Sequence, residues 1–281
     1  MATTTESLKA FLGTAGRFAL VEVARAKGST PREAGAFMLV SRKSIHGTIG
    51  GGQLEFMAID QARLMLADAK GPHELMLDIP LGPEIGQCCG GRVEVLVRLV
   101  DDELKAELLR NAEAEDARLP HIYIFGGGHV GQALAGALSL LPVKAAVIET
   151  RAEALEGMPA SVETRLTSVP EEMVRSAPAG AAFVVLTHDH ALDFLIVAEA
   201  LKRNDAAYVG MIGSKTKKAT FRSWYLKSAG GSEADFARLV SPIGGDAVKD
   251  KRPAVIAALA AAEIMTALAA SATVKAEAAA G

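Results

Sequence analysis

The apolar run His121-Ile122-Tyr123-Ile124-Phe125 breaks into Gly126-Gly127-Gly128-His129-Val130-Gly131 and then into a helix-compatible stretch reaching about Leu140. No other segment narrows the fold as much. Glycine lets a chain turn sharply out of a strand, lets a pyrophosphate approach the backbone, and lets a helix pack close on a strand. Gly126, Gly128 and Gly131 have the spacing for those three roles in that order, and the strand-loop-helix setting raises the pattern above a chance match. Glu149 closes the next apolar run, Lys144–Glu149, where an acid accepts hydrogen bonds from a ribose hydroxyl. Arg151, two residues on, offers a phosphate an alternative partner. Glycines that serve only close helix-strand packing are the plainer reading of the same loop.

Strands and helices continue to alternate: Val162–Leu166, Ala182–Thr187, a helix Leu192–Arg203, Ala207–Ile212, and an alanine-rich helix Ala254–Ala270 with Pro253 in its first turn. Continuous apolar strands alternating with helices predict a parallel sheet covered on both faces. The expectation is therefore an α/β chain whose residues 119–271 form a Rossmann-like, doubly wound, nucleotide-binding domain, followed by a disordered tail, 272–281. The first hundred residues mix strands, at Phe18–Ala26, Ala36–Ser41, Glu74–Ile79 and Arg92–Val100, with one helix, Leu54–Ala69. Leu54, Met57, Ala58, Gln61, Leu64, Met65 and Ala69 recur along that helix at three- and four-residue steps, predicting its apolar face. Residues 1–100 thus read as a smaller α+β domain. The charged stretch 101–118, with Leu104, Leu108 and Leu109, reads as a solvated helical connector.

Charge and composition exclude several classes. The 30 basic and 33 acidic residues leave a net charge of −3, so the basic surplus needed to bind a nucleic-acid backbone is missing. No apolar run looks long enough for a membrane span, and the start, Met1-Ala2-Thr3-Thr4-Thr5-Glu6, lacks the regions of a signal peptide. The two cysteines, Cys88 and Cys89, are too few for a disulfide scaffold and are expected to be free thiols in a reducing, cytoplasmic setting. A homodimer is the default assembly.

Candidate site residues cluster in loops. Thr187-His188-Asp189-His190, with Asp193 beyond, follows the fourth strand of the expected sheet, at the carboxyl edge where open α/β folds bind ligands. Those side chains suit either a divalent metal or a helix cap. Gly210-Met211-Ile212-Gly213-Ser214-Lys215 ends the fifth strand and leads into Lys217, Lys218 and Arg222 on a helix, where Ser214 can cap and the helix start with its lysines, Lys215 above all, can hold an anion; a solvated basic helix face is the alternative. In the first domain, Gly28-Ser29-Thr30-Pro31-Arg32, Gly50-Gly51-Gly52-Gln53-Leu54-Glu55 and Gly86-Gln87-Cys88-Cys89-Gly90-Gly91 each join predicted elements. Gly50, Gly51 and Gly52 permit a nest of N–H groups for an anion, with an ordinary tight turn as the alternative. A thiolate from Cys88 or Cys89 suits molybdenum, copper or persulfide chemistry.

In this order, and together with Ser241-Pro242-Ile243-Gly244, these motifs resemble the XdhC/CoxI family of accessory proteins for molybdenum hydroxylases, over nearly the whole chain. The resemblance implies a chaperone that binds the molybdenum cofactor (molybdopterin), holds it during sulfuration and delivers it to apo xanthine dehydrogenase. A cysteine desulfurase would be the sulfur donor. It also implies that glycine loops of both domains grip the pterin phosphate while Cys88 or Cys89 lies near the molybdenum. The cofactor-binding set is then Gln87, Cys88, Cys89 and Gly50 to Gly52 in the first domain, and Gly126, Gly127, Gly128, His129, Val130, Gly131, Glu149, Arg151, Thr187, His188, Asp189, Ser214 and Lys215 in the second. Three departures from the family pattern stand out: Glu149 where Asp is commoner, Lys215 where Arg is, and Gly245-Asp246-Ala247 in place of a more apolar run, which leaves the Ser241–Gly244 loop without a role. Two other readings use the same loops. One is an NAD(P)-dependent oxidoreductase with His188 or His190 as proton donor; the other is a nucleotide-sensing regulatory scaffold.

Overall fold

The structure, a computed structural model, describes residues 5–68, 70–82 and 90–280, with side chains as far as Val274. The chain divides into two compact units, Met1–Arg118 and Leu119–Gly281.

The first unit is built on a five-stranded antiparallel sheet of order β3-β2-β1-β5-β4, made from β1 (Ala19–Lys27), β2 (Phe37–Val40), β3 (Ile45–Gly47), β4 (Glu74–Pro80) and β5 (Arg92–Leu99). Alternate residues point to opposite faces. Ala19, Val21, Val23, Met38, Val40, Val93, Val95 and Val97 meet α2 (Gly52–Ala67) on one face. Leu20 and Leu39 meet α1 (Thr5–Leu12) and α3 (Asp102–Arg118) on the other.

Two expectations change here. The α2 face that is buried carries Leu54, Ala58, Ile59, Ala62, Met65 and Leu66, whereas Met57 and Leu64 are exposed. Leu54, Ala58 and Met65 are buried as expected, but the helix has apolar residues on every side, so periodicity places the buried stripe off by part of a turn. The charged stretch expected as a solvated connector is α3, and it buries Leu104 and Leu108 against Leu8 and Leu12 of α1 as part of the first unit.

The second unit holds a six-stranded, wholly parallel sheet of order β11-β10-β9-β6-β7-β8. Its strands are β6 (His121–Phe125), β7 (Lys144–Glu149), β8 (Glu163–Leu166), β9 (Ala182–Val185), β10 (Tyr208–Met211) and β11 (Leu239–Val240). Helices α4 (His129–Leu138) and α9 (Pro253–Ala280) cover one face, where Leu134, Leu138, Ala260 and Ile264 pack on Ile122, Ile124, Val147 and Val184. On the other face lie α5 (Glu171–Ser176), α6 (His190–Lys202) and α7 (Lys215–Lys227), whose Val174, Val197, Phe221 and Tyr225 pack on Phe125, Phe183 and Val185. The short α8 (Glu233–Ala237) leads into β11. This is the Rossmann arrangement. The strand order reverses between β6 and β9, which are hydrogen-bonded neighbours, and open sheets of this kind bind ligands at the carboxyl edge of that point.

Helix α9 corrects two further expectations. It runs past Ala270 through the residues expected to be disordered. Its stretch Pro253–Val274 is also long and apolar enough, by composition alone, to cross a membrane. Within this fold Ala257, Ala260, Ala261, Ile264 and Leu268 form a helical stripe buried on the sheet. Glu263 of the same helix accepts hydrogen bonds from the Tyr208 hydroxyl (3.0 Å) and the Gly244 N–H (2.6 Å). Burial, with Glu263 alongside, pushes the Tyr208 pKa up, so that hydroxyl stays protonated and remains the donor. The contact with Gly244 supplies a role for the Ser241–Gly244 loop: it seats α9 on the sheet, with Ile243 in the core.

Candidate functional site

In the second unit the glycine loop lies at the switch point as expected. Gly126 leaves β6 with φ +117°, and a Cβ there would collide with the Leu186 carbonyl and lie 3.0 Å from the Thr187 nitrogen. The loop therefore rests directly on the peptide that follows β9. Gly131 has no room for a Cβ because the Gly126 carbonyl occupies that space, which is the close helix-strand approach read from the sequence. Gly128 is different. It is exposed, a Cβ there would meet nothing, and as the N-terminal cap of α4 it has no side chain to satisfy the helix's first N–H groups. His129 is likewise exposed at the first turn, while Val130 packs against the core. Unfilled amides at a helix start, carrying the positive end of its dipole, favour an anion.

Glu149 is 4% exposed and is bonded almost wholly to the protein. One carboxylate oxygen accepts the Gly127 N–H (2.9 Å) and the Arg151 guanidinium (3.2 Å); the other accepts the Thr150 N–H (2.8 Å), the Thr150 hydroxyl (3.2 Å) and both the N–H and the Nε of Arg151 (3.2 and 3.4 Å). A carboxylate has about four lone-pair positions, and these donors use them. Burial alone would raise the pKa of Glu149. The Arg151 side chain, the Gly127 and Thr150 amides and the Arg151 charge outweigh it and bring the pKa down to about 2. Glu149 thus clasps the glycine loop, with Arg151 lying over it.

Thr187, His188 and Asp189 stand next to that loop across the switch point. Asp189 caps α6, accepting the Ala191 N–H at 2.8 Å, which is the capping alternative weighed for this segment. His188 and His190 are exposed, and among the described residues no group of three or more His, Cys, Asp or Glu is placed to hold a metal ion. Thr187 is fixed by Asp193, whose Oδ1 accepts its N–H (3.0 Å) and its hydroxyl (2.7 Å).

Ser214 caps α7 by accepting the Lys217 N–H at 3.3 Å, as its sequence position suggested. Lys215 and Lys217 differ in what they meet. Lys215 is exposed and its nearest acid is Asp246, 3.8 Å away, in the segment that departs from the family pattern. Lys217 is buried and pairs with Asp193. The sequence carries a signal for this. Asp193 stands in register with the buried Ile196, Val197, Ala200 and Leu201 of α6, and Lys217 with the buried Phe221 and Tyr225 of α7. A charge inside an apolar stripe requires a buried partner.

In the first unit the three glycine segments meet at one end of the sheet. A Cβ on Gly91 would collide with the Ser29 carbonyl, and one on Gly50 would lie 2.5 Å from Pro31. The chain between β4 and β5 also starts and returns there, pinned by the hydrogen bonds Leu81 N–H to Gly91 O (2.8 Å) and Gly90 N–H to Leu81 O (2.9 Å). Gln87, Cys88 and Cys89 lie outside the described residues. The nest expected at Gly50, Gly51 and Gly52 is present, with all three in positive φ, but an internal anion fills it. Glu55 Oε2 accepts the Thr48 hydroxyl (2.5 Å) and the N–H groups of Ile49 and Gly51 (3.1 Å each).

Comparison with known proteins agrees with this architecture. Residues 122–264 match the model of the XdhC Rossmann domain, and residues 12–77 match that of the XdhC and CoxI family. The chain is 27% identical over 239 residues to the uncharacterized protein YqeB of Escherichia coli (strain K12), an alignment covering 81% of this chain and 39% of YqeB. It therefore spans well under half the length of that relative. A crystal structure described as a xanthine dehydrogenase from Bacillus halodurans shares the fold, with a TM-score of 0.78 at 18% identity over 95% of this chain and 96% of that one. With both units matched in order and the glycine loop at the switch point of the second, the chain belongs to the XdhC and CoxI family.

Proposed function

We propose that this chain is an accessory protein for xanthine dehydrogenase. It takes the molybdenum cofactor as cargo, holds it during sulfuration by a cysteine desulfurase, and delivers it to the apoenzyme in the cytoplasm. The observation that carries the reading is the meeting of Gly28–Pro31, Gly50 and Gly90–Gly91 at one sheet end, where the segment bearing Cys88 and Cys89 departs and returns, in a chain of this family.

The residues fit the cargo in part by known geometry and in part by chemistry. A phosphate fits the exposed amides of Gly128 and His129 at the start of α4, where no side chain competes. It does not fit the Gly50–Gly52 nest unless Glu55 leaves, so the phosphate grip belongs to the second unit. A soft thiolate from Cys88 or Cys89 matches molybdenum. The committed state of Glu149 counts against the dinucleotide enzyme, because a ribose diol would have to displace Arg151 from its carboxylate.

The test is expression of the full chain in a host that makes the cofactor. Molybdenum and a fluorescent oxidised pterin should copurify in equal amounts, and the loaded protein should activate apo xanthine dehydrogenase. The Cys88→Ala, Cys89→Ala double variant should lose that activation. A chain that carries neither metal nor pterin yet binds NADH, seen as energy transfer from Trp224, would overturn the proposal.

A further inference from the structure

The buried pair of Asp193 and Lys217 lies outside every ligand contact proposed above, and no part of that function uses it. Asp193 is fully buried and the Lys217 side chain is 8% exposed. Removing two charges from water is costly, and attraction between them offsets the cost only when the remaining donors and acceptors also find partners. Here they do. Lys217 donates to Asp193 Oδ2 and to the Ile212 carbonyl (3.0 Å), while Asp193 Oδ1 takes both donors of Thr187. The Thr187 hydroxyl has a single hydrogen and lies 2.9 Å from the Asp189 carbonyl as well, but the carboxylate is nearer and charged, so it wins that hydrogen.

Gly213 belongs to the same device. A Cβ on it would lie 2.5 Å from Lys217 Cδ, so the glycine of Gly213-Ser214-Lys215 makes room for the lysine stem on its way to Asp193. At the other end, the Leu186–Thr187 peptide whose N–H Asp193 holds is the surface on which Gly126 rests. The Leu186 N–H also donates to the Phe125 carbonyl (2.9 Å), tying the same segment to the strand before the loop.

We propose that Asp193 and Lys217 are positioning residues for the glycine loop. Through Thr187 the pair fixes the peptide that supports Gly126, and so sets where the amides of Gly128 and His129 point, whatever ligand they take. Two neutral double variants of the full chain separate this from simple stabilisation. Asp193→Asn with Lys217→Met removes the charges and keeps an acceptor for Thr187. Asp193→Leu with Lys217→Met removes the charges and the acceptor, and a buried ion pair replaced by apolar groups is often neutral for stability.

Amide hydrogen exchange read by mass spectrometry is the measurement. The leucine variant should exchange about tenfold faster than wild type at 126–131 and 187–191 and nowhere else, as expected for loss of local hold without global opening. The asparagine variant should match wild type. Unchanged exchange in the leucine variant, equal acceleration in both, or acceleration spread over the whole unit would each overturn the proposal. Thr187→Val, which deletes only the hydroxyl, should accelerate the same two segments by a smaller factor and decides the matter should the leucine variant not fold. Molybdenum content, followed in parallel, should fall in the leucine variant and persist in the asparagine one. A wild type that carries no molybdenum sinks the carrier function and leaves the exchange result intact.

Discussion

The chain contains two glycine triplets before helices, Gly50-Gly51-Gly52 before α2 and Gly126-Gly127-Gly128 before α4, and they are put to opposite uses. Both are gripped by a glutamate. In the first unit the grip is local: Glu55, on the helix that the triplet opens, turns back onto Thr48, Ile49 and Gly51 and fills the nest. In the second it is tertiary: Glu149 arrives from the end of β7, takes the Gly127 N–H alone of the triplet and leaves Gly128 open at the helix start. An acid within the helix's first turns takes up an amide of its own triplet, whereas an acid from the neighbouring strand fixes the loop and leaves the helix start without a side-chain partner.

The largest expected effect tests the tertiary grip. The folded pKa of Glu149, about 2 against a reference of 4.5, is depressed, so its contribution is fully present above pH 4.5 and lost as pH falls through 2. The shift corresponds to stability on the order of 3 kcal/mol. Glu149→Ala should lower the stability of the second unit by about that much at neutral pH. It should also flatten the acid limb between pH 4.5 and 2, measured by urea unfolding followed through Trp224, the single tryptophan, which packs on Phe194 and Phe221 of that unit. An unaltered acid limb would place the pH dependence elsewhere.

Gly131→Ala comes next. Alanine's higher helix propensity favours the variant by up to about 1 kcal/mol, and the collision with the Gly126 carbonyl opposes it. Overpacking against rigid backbone should win, with a net loss of about 2 kcal/mol in the same Trp224 transition. A stabilised variant would mean that α4 does not press on the loop.

Removal of the local grip should cost less. Glu55→Ala takes away a cap and its charge-assisted hydrogen bonds, about 1 kcal/mol, and should shift the far-ultraviolet circular dichroism transition of the first unit while the Trp224 transition stays in place. A Trp224 shift as large as the dichroism shift would show that the two grips are not independent.

The smallest stability effect belongs to Gly128→Ala, about 0.5 kcal/mol, because φ is −69° and the space around it is empty. Its effect on loading should be larger, with molybdenum content falling about tenfold as the new methyl group holds the cargo off the amides. Undiminished loading would move the phosphate away from α4.

Much of the fold was legible because it rests on pattern. β6, its glycine loop, α4 and β7 follow from one apolar run, one spacing and a second apolar run. Four of the five strands of the first unit lie within a residue or two of their expected ends. What escaped includes α1, whose two turns bury only Leu8 and Leu12 fully among apolar residues, together with elements that are shorter still or have no distinct face. β3 and β11 are three and two residues long, too few to show alternation. In α2 the apolar residues surround the helix, so three- and four-residue spacing does not separate the buried Ile59 and Leu66 from the exposed Met57 and Leu64. At the site, the position of Glu149 is legible in the sequence but its hydrogen-bond partners are not, and the burial of Lys217 beside the exposed Lys215 depends on Asp193, which arrives from another helix.

By itself the sequence determined where the strands end, where the loops turn and which residues cap the helices, since glycine spacing, strand length and capping residues act over a few neighbouring positions and can be read in order. Tertiary structure alone decided what each loop has left to offer. A carboxylate has a limited number of lone pairs and a loop a limited number of free N–H groups. Whether Glu149 meets Gly127 or a ribose, and whether Lys217 meets water or Asp193, depends on groups that come together only when β6, β7, β9 and β10 lie side by side.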